Sequence, residues 1–158
     1  MGRFFPEAYD RFVGHLDPAE RNDLLTSYFK RLVDSNPAVH QKAAEAWASY
    51  ETSCSTLRAG DRHVGGTSAL TMARIEAYYF INDCFMPENH IMDNVGCVSH
   101  LPAIIVQGRH DVICPPVTAL KLAAKWGENA RLQIIEAAGH STFESGIAHA
   151  LMAALEEI

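Results

Sequence analysis

The sequence lacks the features that mark several large protein classes. Its 158 residues carry 13 Lys and Arg against 19 Asp and Glu, a net charge of −6, and contain no basic run. Nucleic acid and anionic membrane surfaces are therefore not expected partners. No stretch resembles a signal peptide or a long apolar span, and the four Cys have no C-x-x-C spacing. We therefore expect reduced thiols in a cytoplasmic protein.

The eight His residues form no metal-binding motif. None lies in an H-E-x-x-H pattern, and none pairs with Cys at zinc-site spacing. We therefore expect neither a metal ion nor another cofactor. With 48% hydrophobic and 20% charged residues, the chain has the composition of an ordinary folded protein that is long enough to bury a core.

The clearest pattern lies between residues 101 and 141. Ala103 to Val106 is a continuous apolar run closed by Gly108, which is typical of a parallel strand covered on both faces. After Pro115-Pro116, apolar residues recur at helical spacing, and Arg131 to Ile135 form a second apolar run. The pattern predicts a β-α-β unit, whose right-handed crossover makes the two strands parallel.

Asp111 follows the first of these strands, and His140 follows the second. Because the carboxyl ends of parallel strands share one edge of the sheet, we expect the two side chains to meet. A carboxylate that faces an imidazole fixes its tautomer and stabilises the imidazolium, as in a catalytic triad. The residues alone leave an alternative open, in which Asp111 caps a turn and His140 is a surface residue.

Four separate motifs resemble one known family. They are GRHDVICP at Gly108 to Pro115, AGHS at Ala138 to Ser141, WASYE at Trp47 to Glu51 and ARIEAYYF at Ala73 to Phe80. Together they resemble the C-terminal portion of proline iminopeptidases, which are α/β-hydrolase-fold serine peptidases that remove an N-terminal proline. The resemblance implies a partial α/β-hydrolase fold, with a helical cap over residues 1–86. A C-terminal β-α-β-α part of the core, with parallel strands, is then expected over residues 87–158.

The resemblance also implies roles for single residues. Asp111 and His140 match the catalytic acid and base, while Glu51 and Glu76 match the glutamates that bind the charged amine of a peptide's N-terminal proline. The chemistry is reasonable, because an ammonium group in a water-poor pocket needs paired carboxylates. Without the resemblance, both glutamates would be interpreted as solvated helix carboxylates.

The nucleophile of the family is not found in this sequence. The family carries its Ser in a G-x-S-x-G elbow and has an HGG-type oxyanion loop, and both lie upstream of the part that this chain resembles. Gly66 to Leu70 supplies one of the two glycines and follows no strand pattern, whereas Ser141 and Ser145 lie in the His140 loop. We expect a chain that starts late, supplies two members of a triad and is nearly inactive alone.

Three alternatives to a truncated enzyme remain. The chain could be one subunit of a split enzyme whose N-terminal partner chain carries the nucleophile, or a non-catalytic binding module for N-terminal proline. It could also be another cap-bearing α/β-hydrolase, such as an esterase or epoxide hydrolase. The Glu51 and Glu76 pair disfavours the last alternative, because a neutral ester has no need of two buried carboxylates.

The remaining patterns predict helices. Asp17-Pro18 with Glu20 predicts the start of a helix that ends near Ser35, and Asn36-Pro37 predicts the start of a second helix with Glu51 at its end. Further helices are expected at about 68–85, 88–100 and 141–158, separated from the second helix by a loop over 52–66.

Overall fold

The computed structural model describes residues 1–58 and 65–157, which form two compact units. One unit contains residues 1–53 and 65–87, and the other contains residues 54–58 and 88–157. The first unit is built of helices in its described part, and the second contains both strands. The predicted combination of helices with a parallel sheet is therefore confirmed. No helix among the described residues is both long enough and apolar enough to cross a membrane.

In its described residues, the first unit, which we call the helical unit, contains four α-helices. They are α1 (Pro6–Gly14), α2 (Leu24–Leu32), α3 (Pro37–Ser55) and α4 (Gly66–Ile81). Short 3-10 turns at Pro18–Glu20 and Asp83–Phe85 precede α2 and follow α4. The predicted helix start at Asn36-Pro37 is confirmed, since the Asn36 side chain accepts a hydrogen bond from the N–H of Ala38 at 3.0 Å.

An aromatic stack forms the centre of the helical unit. Phe12 lies between Tyr28, whose ring centroid is 4.2 Å away, and Tyr50, at 4.7 Å, and Trp47 meets both Phe12 and Tyr28 edge-on. Tyr28 is fully buried, and its hydroxyl donates to the backbone oxygen of Phe12 at 2.7 Å. Burial holds the pKa of Tyr28 well above its usual value, so the phenol stays neutral and the hydrogen bond persists.

The helix predicted from Asp17-Pro18 is interrupted. The capping box of Asp17 and Glu20 forms, but it starts only one 3-10 turn. Asp23 then caps a new helix, because its carboxylate accepts a hydrogen bond from the N–H of Thr26 at 3.1 Å. Since Asp favours cap positions over helix interiors, α2 begins directly after it.

Other helix boundaries also differ from the prediction. α3 continues to Ser55, so Glu51 lies one turn before the helix end, and only part of the loop predicted over 52–66 lies within the described residues. α4 ends at Ile81 because Asp83, Cys84 and Phe85 all adopt left-handed backbone angles, with φ of 50°, 53° and 57°. The helix predicted over 88–100 is reduced to α5 (His90–Asn94) and one 3-10 turn.

The second unit, the sheet unit, has the predicted β-α-β-α order. β1 (Ala103–Gly108) and β2 (Ala130–Ile135) pair in parallel, from Ala103 opposite Ala130 to Gly108 opposite Ile135. α6 (Pro116–Trp126) connects them, and α7 (Ser145–Glu157) packs against both strands. The carboxyl ends of β1 and β2 therefore lie side by side.

β1 is less buried than its sequence predicts. Its residues from Ala103 to Gln107 are all half-exposed, although the apolar run is typical of a strand covered on both faces. Leu120 on α6 and Leu155 on α7 are also poorly covered, since 51% and 74% of their surfaces are exposed. The physical reason is that the sheet of the described residues has two strands, which leaves the helices little surface to cover.

The backbone at the end of β1 lies against the loop that follows β2. A Cβ atom added to Gly108 would lie 1.9 Å from the backbone oxygen of Gly139 and 2.8 Å from that of Ala138. Only glycine permits this approach. The two loops that carry Asp111 and His140 are thus brought together by the strands themselves.

Candidate functional site

Asp111 and His140 form a hydrogen-bonded pair at the carboxyl edge of the sheet. Nδ1 of His140 lies 3.0 Å from Oδ2 of Asp111. The Asp111 side chain is 6% exposed, whereas that of His140 is 36% exposed. With Nδ1 engaged by the carboxylate, Nε2 is the ring nitrogen left for proton transfer. The geometry is compatible with the acid and base of a nucleophile-base-acid triad.

Asp111 is held by its own loop as well as by His140. Oδ1 accepts hydrogen bonds from the N–H groups of Ile113 at 3.0 Å and Cys114 at 2.8 Å, and Gln107 Nε2 donates to Oδ2 at 3.2 Å. The turn-capping alternative is therefore correct for one carboxylate oxygen, while the other oxygen meets the imidazole. Because both oxygens of Asp111 already have hydrogen-bond partners, the carboxylate is held in place before any ligand binds.

Cys114 lies beside Asp111 but is a poor candidate for the nucleophile. Burial raises the pKa of its thiol, and the neighbouring negative charge of Asp111 raises it further. A thiol must lose its proton to attack a carbonyl, so both effects disfavour the reactive form.

The three candidate serines are Ser68, Ser141 and Ser145. Ser68 is exposed in the first turn of α4, and Ser145 is the first residue of α7. The hydroxyl oxygen of Ser141 accepts a hydrogen bond from the N–H of Phe143 at 3.3 Å. None of these three residues follows a strand directly, as the Ser of a nucleophile elbow would.

A carboxylate that the motif analysis did not assign to the site holds the His140 loop. Oε2 of Glu144 accepts a hydrogen bond from the N–H of Gly139 at 2.5 Å, and Oε1 accepts one from the N–H of Leu57 at 2.9 Å. The backbone oxygen of Ser55 accepts hydrogen bonds from the N–H groups of His140 and Ser141, both at 2.8 Å. No local spacing could predict the bond to Leu57, because Leu57 precedes Glu144 by 87 residues.

Glu51 and Glu76 form a second cluster, within the helical unit. Both side chains are half-buried, Glu51 on α3 and Glu76 on α4, and their carboxyl groups are hydrogen-bonded to each other. Burial, together with this hydrogen bond and the charge of Glu76, raises the pKa of Glu51 to about 8. Two carboxyl groups can share a hydrogen bond only if one is protonated, so the pair holds a proton at neutral pH.

Trp47 supports the glutamate pair. Its indole Nε1 donates a hydrogen bond to Oε2 of Glu76 at 2.8 Å. The WASYE motif begins at Trp47, but the bond depends on how α3 and α4 are placed side by side. The bond gives the glutamate pair a neutral hydrogen-bond donor on the Glu76 side. Such a pair suits a cation, because an ammonium group can replace the proton and satisfy both carboxylates.

The described residues offer no metal centre. In residues 1–58 and 65–157, no group of three or more His, Cys, Asp or Glu side chains is arranged to hold a metal ion. A cavity of about 600 Å³ between α1 and α3 is lined by Arg11, His15 and Lys42, among others, and none of the four predicted site residues lines it.

Known proteins provide an independent comparison. No protein-family model matches the sequence. The chain is 36% identical over 159 residues to a proline iminopeptidase of Xylella fastidiosa, 37% over 160 residues to one of Arabidopsis thaliana and 32% over 159 residues to one of Neisseria gonorrhoeae. These matches cover 98%, 98% and 100% of the chain but 50%, 42% and 51% of the relatives.

The chain therefore spans about half the length of the curated relatives that it matches. The resemblance inferred from the four motifs is confirmed, and the matches are consistent with the C-terminal portion of those enzymes.

Proposed function

We propose that this relative of the proline iminopeptidases supplies the acid and base of a serine aminopeptidase that releases proline from the amino end of peptides. The observation that carries the proposal is the 3.0 Å contact between Asp111 and His140 at the carboxyl edge of two parallel strands. That placement of an acid and a base is the one used by α/β-hydrolases, in which the His is the last triad member along the chain.

The proposed reaction is acyl transfer. A Ser supplied by polypeptide outside this sequence attacks the carbonyl carbon of the N-terminal proline, and Nε2 of His140 takes the hydroxyl proton. The same nitrogen then protonates the leaving amine, and a water molecule activated by His140 hydrolyses the acyl-enzyme. Asp111 holds the imidazole by Nδ1 and stabilises its cationic form. Donors for the oxyanion are likewise expected from outside this sequence.

Glu51 and Glu76 are proposed to bind the ammonium group of the N-terminal proline. Their shared proton and partial burial support this role, since an ammonium group can replace that proton and bind both carboxylates. An internal residue of a peptide carries no ammonium group that could bind the two half-buried carboxylates. Such a site rejects internal residues strongly.

The proposed location is the cytoplasm, and the proposed partner is the polypeptide that carries the nucleophile. The four Cys have no C-x-x-C spacing, which is typical of reduced thiols and supports this location. Loss of a triad member costs on the order of 10⁶ in turnover, so we expect the chain alone to be nearly inactive.

A binding module is the second candidate function. It is favoured by one observation, namely that the glutamate pair and Trp47 all lie within the helical unit, whereas Asp111 and His140 belong to the sheet unit. Binding of prolinamide that is weakened by Glu76→Gln, without turnover under any condition, would favour this candidate.

The test is hydrolysis of a proline arylamide by the purified chain, alone and with extract from the source cells. We expect no turnover alone and turnover with extract that depends on this chain and is lost in His140→Ala. His149→Ala is the matched control, because that imidazole lies on α7 and its Nδ1 contacts the backbone oxygen of Ser145 instead. Turnover that persists in His140→Ala would refute the proposed base. Turnover by the chain alone would show that it contains its own nucleophile, and Ser68→Ala would then be tested first.

A further inference from the structure

We propose that Glu144 is a positioning residue that holds the His140 loop in its reactive place. It acts through two backbone N–H groups and does not touch the substrate. The catalytic consequence rests on the proposed function of His140, whereas the mechanical role can be measured on the chain by itself.

The carboxylate of Glu144 joins two parts of the chain. Its two oxygens bind different segments, one through Gly139 N–H at 2.5 Å and the other through Leu57 N–H at 2.9 Å. Hydrogen bonds to an ionised acceptor are roughly twice as strong as neutral ones. Gly139 directly precedes His140, so the bond fixes the backbone from which the imidazole projects.

The backbone segment of residues 55–57 supports the His140 loop. The segment that Glu144 binds at Leu57 also presents the backbone oxygen of Ser55 to the N–H groups of His140 and Ser141. Glu144 therefore ties down both the loop and the segment that supports it. The fit is tight, because a Cβ atom on Gly139 would lie 3.1 Å from Leu57 N and 3.2 Å from Ser55 O.

The hydrogen bonds of the Glu144 side chain differ from those of an ordinary helix cap. Glu144 directly precedes α7, where a carboxylate commonly accepts hydrogen bonds from the first N–H groups of the helix. Here the two hydrogen bonds described for the side chain go to Gly139 and Leu57, both outside α7. The side chain thus serves the loop rather than the helix.

The consequence for the reaction is positional. His140 must keep Nδ1 on Asp111, at 3.0 Å, while Nε2 points at the nucleophile. Misplacement of a catalytic group by about 1 Å can cost on the order of 10² in rate. We therefore expect loss of the Glu144 contacts to lower kcat by about that factor, with little change in KM.

Glu144→Gln is the primary test, measured by nuclear magnetic resonance on the chain. The amide keeps the length of the side chain but turns one acceptor oxygen into a donor that faces an N–H group. We expect at least tenfold faster hydrogen exchange at Gly139 and Leu57, an upfield shift of the Gly139 amide proton and a changed titration of His140. Exchange in β1 and β2 should stay as in the parent chain.

Two further variants sharpen the test. Glu144→Asp keeps the charge but is one methylene too short to reach both segments, so it should fail to rescue the loop. Glu156→Gln is the matched control, because Glu156 is an exposed glutamate on the same helix. It should leave exchange and the His140 titration unchanged.

Unchanged exchange at Gly139 and Leu57 in Glu144→Gln, with an unchanged titration of His140, would overturn the proposal. Faster exchange throughout the sheet unit would overturn it as well, since Glu144 would then support the whole fold. Failure of the proposed function is a separate result, seen when the parent chain gives no His140-dependent turnover with cell extract. The exchange and titration data decide the role of Glu144 in either case.

Discussion

Binding of a prolinamide cation to Glu51 and Glu76 should release a proton. In the free chain, Glu51 keeps its proton because burial, the hydrogen bond with Glu76 and the charge of Glu76 raise its pKa to about 8. An ammonium group beside both carboxylates stabilises their ionised forms, so the pKa of Glu51 falls when the ligand binds. The complex therefore holds one proton fewer than its separate components.

The size of the effect follows from the pKa. At pH 6.5 a carboxyl group with a pKa of about 8 is roughly 97% protonated, and an α-amine with a pKa of about 7.7–8.0 is more than 90% cationic. We expect about 0.9 proton to be released for each ligand bound at this pH. Because the proton competes with the amine, affinity should fall on the order of tenfold for each pH unit below 7, until the carboxyl pKa in the complex is reached.

Isothermal titration calorimetry measures this release directly. Prolinamide is titrated at pH 6.5 in two buffers that differ in ionisation enthalpy, and the difference in observed enthalpy gives the number of protons. Glu51→Gln has no proton to release and should give a value near zero. Glu45→Gln, a change of the same kind on α3, should keep the value of the parent chain.

Two results would refute this reasoning. One is prolinamide binding to the parent chain with no exchange of protons, which would mean that the pair is already a dianion. The other is proton release that persists in Glu51→Gln, which would place the titrating group elsewhere.

Three stability predictions accompany this one. The pKa of Glu51 is raised in the folded state, so protonation of this group favours folding. The free energy of unfolding should therefore fall by about 1–2 kcal/mol between pH 5 and 8.5. Urea titrations of Glu51→Gln should show no such fall. Gly108→Ala should lower the free energy of unfolding by about 3 kcal/mol or more, because its Cβ would lie 1.9 Å from Gly139 O. Tyr28→Phe should cost about 1–2 kcal/mol in thermal unfolding, because it removes the buried hydrogen bond from the Tyr28 hydroxyl to the backbone oxygen of Phe12.

Matched variants control for the glycine and tyrosine changes. Gly14→Ala places a Cβ where no atom lies within 4 Å, and Tyr78→Phe removes a hydroxyl from a residue that is about half exposed. Both should shift stability by no more than about 0.5 kcal/mol. Equal losses in a test variant and its control would contradict the structural reason given for the test.

The contact of Asp111 with His140 could be predicted because it follows from topology. Two apolar runs, a helical pattern between them and the right-handed crossover rule bring both loops to one edge of the sheet, whatever the remaining residues are. Helix starts were less predictable because two capping signals competed within a few residues. The Asp17 box forms, yet Asp23 caps the helix that persists.

The supporting contacts could not be predicted, because they depend on three-dimensional placement. The bond of Glu144 to Leu57 joins backbone and side chain across 87 residues, and the bond of Trp47 to Glu76 depends on the register between two helices. Neither leaves a periodic trace in the sequence. The burial of β1 and of Leu155 was also not predictable, since the residues of β1 are half-exposed and Leu155 is exposed. Hydrophobicity predicts which environment a residue favours, but not which neighbours are present to provide it.

Two contacts of the candidate site close chain segments of different lengths, and this difference affects the order in which the contacts form. The contact between Asp111 and His140 closes 29 residues, whereas the contact between Leu57 and Glu144 closes 87. The longer loop costs about 1 kcal/mol more in chain entropy, and long-range contacts form later in folding. The acid and base should therefore meet early, while the Glu144 contact closes last and is the first to open in the folded protein.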